Sequence, residues 1–328
     1  MMRFLVLLII FSLPACEGIL AQPTYAEKLG FPKGSKVLIL HVDDVGMSWE
    51  SNQGAIEATT KGVATSLSMM MPCPWIPGFF RYLKDHPDTD AGLHLTFNSE
   101  WNEYRWGPIT GKLESPGLCD TEGALWPTVE ELTKHAKADE IEAEIRAQVD
   151  RARAMGFEPT HMDSHMGAIF ARTEYVARYV KVGIEFKIPL MMPGGHNTMI
   201  SQQSTQVEIA QLREVGKMLW SAGLPVLDDI HNLSYNWQYP ANLNDEDLRK
   251  FATGKYIETI SKLKPGLTLV IMHCTAPTET FKNISASGTI RKGDLLAMTD
   301  PAFKAYLQKE KIVLTTWREI AKRRQAAK

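Results

Sequence analysis

From residue 36 onward, short runs of apolar and β-branched residues alternate with longer stretches in which apolar positions recur every three or four residues. The short runs predict eight strands, over 37–42, 63–70, 91–97, 160–165, 188–191, 225–227, 267–273 and 312–315. Val37-Leu38-Ile39-Leu40 and Leu267-Thr268-Leu269-Val270-Ile271 are almost continuously apolar, as strands covered on both faces are. Helices are predicted over 54–61, 139–155, 174–182, 207–222, 245–263 and 294–308. The clearest is 139–155, where Asp139 with Glu142 makes a capping-box pair, Ile141, Ile145 and Val149 recur at four-residue spacing, and Gly156 with Pro159 supplies the stop. Repeated βα units of this kind predict an α/β fold, a single TIM-like β/α barrel over 22–328.

The alternation lapses between about 98 and 127 into Gly, Pro and aromatic residues, among them Trp101, Tyr104, Trp106 and Trp126. An insertion this long on a βα scaffold is usually functional. Its indoles either form platforms for sugar rings or pack the insertion together.

Composition changes this picture little. The 328 residues carry 36 Lys+Arg against 38 Asp+Glu, so no basic surface is available to track phosphates, and nucleic acid is excluded as a partner. The first residues are different in kind. Arg3 precedes an apolar run from Phe4 to Phe11, which is too short to span a membrane and predicts a signal peptide over 1–21. Leu13-Pro14-Ala15-Cys16 resembles a lipoprotein signal, and cleavage after Ala21 is the alternative. The protein is therefore expected to be exported, either periplasmic or secreted, or held to a membrane only through a lipid on Cys16. Without Cys16, only Cys73, Cys119 and Cys274 remain, so disulfides do not organise the fold.

The polar residues that could carry chemistry fall at the C-terminal ends of predicted strands, where barrel active sites sit. Asp43 and Asp44 end the first strand before Gly46. Taken alone they read as an Asp-rich turn, but a turn at Gly46 could bring both to the barrel mouth, one to bind a metal and one to act as base. His161, Asp163 and His165 share a face whether the segment is strand or helix. Two imidazoles with a carboxylate suit a metal ligand and the group that orients it. His94 and His273 stand at two further strand ends, while Asp228, Asp229 and His231 read as a polar loop and His41, His86, His135 and His196 as background. One carboxylate with two imidazoles suits Zn²⁺ or a similar divalent ion and leaves positions open for water and substrate. Such a site is hydrolytic, with needs that match amide cleavage.

Four segments then resemble the YdjC-like carbohydrate deacetylases, the family that includes chitooligosaccharide deacetylases. They are Val42-Asp43-Asp44-Val45-Gly46 with Asn52, Gly62-Val63-Ala64-Thr65-Ser66, Gly92-Leu93-His94-Leu95 and Thr160-His161-Met162-Asp163-Ser164-His165; Met272-His273-Cys274 with Arg291 and Leu295 resembles the family's late motif. The resemblance implies a distorted barrel, a divalent ion (Zn or Mg) held by Asp44, His94 and His165, Asp43 as general base and His273 as general acid. It places His161, Asp163 and Arg291 around ligands or substrate and implies hydrolysis of the amide of an N-acetylated sugar or oligosaccharide. Val45, Met166-Gly167 and Cys274 depart from the family pattern, which implies an altered substrate preference. Two other readings remain open: a non-catalytic sugar-binding lipoprotein, which would not need Asp43 as a base, and a metal-independent glycoside hydrolase, which would need two carboxylic acids roughly 5 to 9.5 Å apart.

Overall fold

Lys36–Val45 (β1) is apolar on both faces until its last third, and this is the strand around which the sheet is built. The computed structural model describes residues 22–327; the segment expected to be a leader, with Cys16, lies outside them. The other strands are Ser66–Met69 (β2), Ala91–Leu95 (β3), Met162–Ser164 (β4), Asp229–His231 (β5), Gly266–Met272 (β6) and Val313–Leu314 (β7). All pairs are parallel, in the order β4-β3-β2-β1-β6-β5. β7 pairs with the start of β1 at Val37 and Leu38, below the stretch from His41 to Val45 that β2 occupies.

The ring of eight strands expected from the sequence is a curled half-barrel instead. Segments 188–191 and 225–227 do not become strands; 188–194 touches the two edges only through isolated bridges, Met162 to Leu190 and Pro193 to Leu227. Pro189 and Pro193 cannot donate to a ladder, and Gly194-Gly195 adds two flexible residues, so no continuous strand forms there.

Each predicted helix is present, but Ile76–Asp85, Val129–His135 and Trp317–Ala326 are helices that the pattern did not predict, and two predicted ones differ in detail. The helix expected at 139–155 is Ala138–Ala154, and its N-terminal contact is made two residues earlier, by the Glu140 carboxylate accepting the Lys137 N–H at 2.7 Å; Asp139 instead pairs with Arg178. The helix expected at 294–308 is two, Gly288–Met298 and Pro301–Lys309. Asp300 caps the second, accepting the Ala302 N–H at 2.8 Å, and Pro301 occupies the first-turn position that tolerates it.

Strand alternation divides the core. Leu38, Leu40 and Val42 face the cluster beneath the surrounding helices, whereas Val37 and Ile39 join Leu267, Leu269, Ile271, Leu227 and Trp317 inside the curl. Asp228 ties the N-terminal segment to this floor, accepting the backbone N–H groups of Tyr25, Ala26 and Leu267 at 2.8–3.0 Å. The insertion is clasped by buried Glu144, which accepts from Ile109 N, Thr110 N and Thr110 Oγ1 at 2.9–3.0 Å. Cys73, Cys119 and Cys274 are free and buried. Among the described residues no helix is long and apolar enough to cross a membrane.

Candidate active site

The inner face of β1 turns polar where it nears the rim, since His41 and Asp43 continue the alternation of Val37 and Ile39. Two adjacent aspartates should then point to opposite faces, but a bulge intervenes. Val42 pairs with Leu67 and Val45 with Met69, so β1 uses three steps where β2 uses two, and Asp44 takes a left-handed backbone, φ 63°. A bulge of this kind re-aims a side chain, and a non-glycine residue held left-handed stores strain that the surrounding contacts must offset. Bulge and Asp44 conformation bring both carboxylates to the rim, rather than a turn at Gly46 alone. Gly46 serves a different need: it has φ 88°, and a Cβ there would lie 2.2 Å from Ile76 Cδ1.

Asp44, His94 and His165 converge, as the resemblance implied. Asp44 Oδ1 lies 3.2 Å from His94 Nε2 and 3.2 Å from His165 Nδ1, and the two ring nitrogens are 3.3 Å apart. Three ligand atoms at a tetrahedral ion with bonds of about 2.0 Å are separated by about 3.3 Å. Asp44 Oδ1 is buried without a hydrogen-bond partner, which leaves this oxygen free to bind a cation. These residues fit a divalent ion. Two further groups, His41/His161/Asp163 and Asp43/His94/Asp163, are similarly close, but both draw on Asp163, which is already engaged with two imidazoles.

Asp163 accepts from His94 Nδ1 at 2.6 Å and lies 2.8 Å from His41 Nε2. It therefore orients His94, leaving Nε2 to face Asp44, as an outer carboxylate does for a metal-ligating histidine. His165 has a corresponding partner in Glu100, 3.0 Å from its Nε2. Burial opposes charge on these rings, yet Asp43 and Asp163 push His94 well above the usual histidine range, and Glu100 and Asp44 push His165 to about 9. Asp44 itself is held well below the carboxylate range against its burial by Arg291, 2.7 Å away, and by the two imidazoles.

His161 does not reach this cluster. It lies deeper, stacked on Trp317 with ring centroids 5.0 Å apart and 3.6 Å from Asp163. Gly92 makes room for it, since a Cβ there would sit 2.4 Å from His161 Cε1. His273 is partly exposed, packs edge-on against Tyr235 and is positioned through its backbone N–H, which donates to buried Asp294 at 2.9 Å. Burial, reinforced by the Arg291 charge, lowers His273 to about 4. Arg291 also donates from Nε to Ser287 Oγ and Tyr235 OH, and its Nη1 is buried without a partner.

Sequence reasoning missed His41, Glu100 and Asp294. His41 is fully buried, with Nε2 2.8 Å from Asp163, 3.1 Å from Asp43 and 3.1 Å from Ser68 Oγ, and its two-residue spacing from Asp43 was the available signal. The aromatics of the insertion pack it together instead of forming an open platform. Trp106 is buried and donates to Asn98 O, Trp126 stacks on His135, and Tyr104 donates to Met47 O. The exposed indoles near this rim are Trp49 and Trp75, 5.6 Å apart. Asp228, Asp229 and His231, expected in a polar loop, are buried.

Comparison with known proteins places the fold and the motifs in context. The YdjC-like protein family matches residues 37–309. A carbohydrate deacetylase of Thermus thermophilus is 29% identical over 294 residues, 90% of this chain and 97% of that protein. A chitooligosaccharide deacetylase of Yersinia enterocolitica is 33% identical over 135 residues, 40% of this chain and 49% of that one. A crystal structure from Enterococcus faecalis V583, named for cellobiose-phosphate cleavage, superposes with a TM-score of 0.70 at 19% identity, covering 87% of this chain and 99% of that one; at that identity the likeness speaks for the fold.

Proposed function

The chain belongs to the YdjC-like protein family, and from that premise we propose that it is a metal-dependent carbohydrate deacetylase hydrolysing the acetamide of N-acetylated amino sugars or oligosaccharides. The observation that carries the reading is the convergence of Asp44, His94 and His165 on one point, with a second carboxylate, Asp43, at the same rim. Names of the relatives support the substrate class, since both are deacetylases of carbohydrates.

Asp44, His94 and His165 would hold the ion, either Zn or Mg. When bound, such an ion lowers the pKa of a water and polarises the scissile carbonyl. The remaining work falls to the chain's own groups. Asp43 is only slightly exposed and its Oδ1 is held by His41 and Ser68, so it is oriented to accept the proton of the attacking water. His273, neutral at rest, must take up a proton before it can protonate the departing amine. A proton passing from Asp43 to His273 during the cycle meets both demands and leaves Asp43 ionised and His273 neutral at the end. Arg291 keeps Asp44 anionic throughout. The same proposal takes the N-terminal segment as an export leader, so that substrate is met outside the cytoplasm, by a protein that is free if cleaved after Ala21 or tethered through Cys16 if cleaved before that cysteine.

The test is a panel of N-acetylated mono- and oligosaccharides and O-acetylated sugars, with acetate and free amine both quantified. Equal yields of acetate and amine support amide hydrolysis. Acetate without amine reassigns the protein to ester cleavage, and release of reducing ends reassigns it to glycoside hydrolysis.

A further inference from the structure

Each imidazole of the Asp44/His94/His165 group has a carboxylate behind it, and one of these comes from an unexpected place. Asp163 stands on β4, beside β3 in the sheet. Glu100 belongs to no strand; it lies five residues past the end of β3, within the Trp-rich insertion. Its Oε2 is 3.0 Å from His165 Nε2, while His165 Nδ1 faces Asp44 and His94. The His165 ring is 5% exposed and the Glu100 side chain 21%, so this is not a solvated surface pair.

A neutral imidazole carries one N–H, and the nitrogen that carries it leaves the other with the lone pair. With an acceptor at Nε2, the proton is held there and Nδ1 is the free donor atom. Without one, the two tautomers compete and the ring is free to turn. The position of Glu100 is itself fixed. Ser99, immediately before it, is buried, donates its N–H to Trp126 O at 3.1 Å, and through Oγ accepts from Trp106 N and Arg105 Nε. Trp101, immediately after, packs edge-on against Trp106 at 5.5 Å.

We propose that Glu100 is a positioning residue that holds His165 with its proton on Nε2 and its Nδ1 toward the metal position, which makes the 98–127 insertion a working part of the metal centre. This rests on the metal-dependent reading given above. Outer-sphere partners of ligating histidines typically change metal affinity 10–100-fold, so the effect is measurable without turnover.

Zn²⁺ is titrated into the metal-free protein against a chromophoric chelator, for the wild type, Glu100→Ala, Glu100→Gln and, as a control in the same loop, exposed Glu103→Ala. Glu100→Ala is expected to weaken zinc binding about 10–100-fold, Glu100→Gln, which keeps an acceptor oxygen, by only a few-fold, and Glu103→Ala not at all. Above pH 9, where the His165 ring is neutral in both proteins, thermal unfolding of metal-free Glu100→Ala is expected to match the wild type, which a merely structural role would not allow. Zinc affinity of Glu100→Ala within twofold of wild type overturns the proposal. Equal losses in Ala and Gln variants overturn it as well, because charge rather than a hydrogen-bond acceptor would then be responsible. A wild type that binds no zinc overturns the metal-dependent reading itself, and this outcome is distinct from the other two.

Discussion

His41 Nε2 lies 3.1 Å from Asp43 Oδ1 on the inner face of β1, and the same nitrogen is 2.8 Å from Asp163. One fully buried imidazole thus joins the proposed base to the carboxylate that orients His94. Burial opposes the charge, but Asp163 and Asp43 push His41 up to about 9. Replacing it strands two carboxylates inside the curl, and removing one member of a buried ion pair typically costs about 3–5 kcal/mol. His41→Ala is therefore expected to lower stability by that order in urea unfolding; a loss below about 1 kcal/mol would fall in the range of exposed pairs and contradict the role.

The same group sets a pH dependence. A histidine whose folded pKa lies above its unfolded value stabilises the fold fully below the unfolded value, and the contribution disappears as pH rises through the folded one. For His41 and His165, both about 9, the metal-free protein should lose stability between about pH 6.5 and 9. Zinc affinity should rise across the same window, because His165 must give up a proton to serve as a ligand. Denaturant melts and zinc titrations at pH 6, 7.5 and 9 check both directions, and a metal-free stability that climbs over this interval would contradict the assignment.

Asp43→Asn separates chemistry from metal binding. Asp43 is next to Asp44 in sequence but outside the converging triad, so the variant should hold zinc within a few-fold of wild type while kcat falls about 10²–10⁴-fold, the usual contribution of a general base. Loss of zinc in proportion to loss of activity would make Asp43 a ligand instead.

Gly92→Ala tests the packing beneath the site. A Cβ would sit 2.4 Å from the His161 ring, which is pinned from the other side by Trp317, so neither neighbour can yield cheaply. Overpacking of this kind typically costs about 1–3 kcal/mol. Chemical denaturation reads it directly, and unchanged stability would mean that the His161–Trp317 stack is free to shift.

Much of this architecture is legible in the chain. The continuous apolar runs give β1 and β6, and strand-end placement gathers Asp44, His94, His165 and His273 at one rim without any knowledge of the sheet's closure. Departures arise where local pattern competes with backbone chemistry. Pro189 and Pro193 break a run that is otherwise strand-like, and Pro301 splits a helical period that continues through it. Asp44 reaches the rim through a bulge, which depends on pairing with β2 and leaves no mark in a single sequence. His41 was recoverable from its two-residue spacing to Asp43, whereas Glu100 was not, because its approach to His165 depends on how the insertion folds back and on the Glu144 clasp that holds it.

The most direct test of the central claim is acetate release from an N-acetylated oligosaccharide by the zinc-loaded protein, by the same sample after chelation, and by the chelated sample after zinc is restored. The account predicts release in the first, none in the second and recovery in the third, with His94→Ala and Asp44→Ala inactive throughout. Undiminished release after complete removal of metal, verified by elemental analysis, would contradict it.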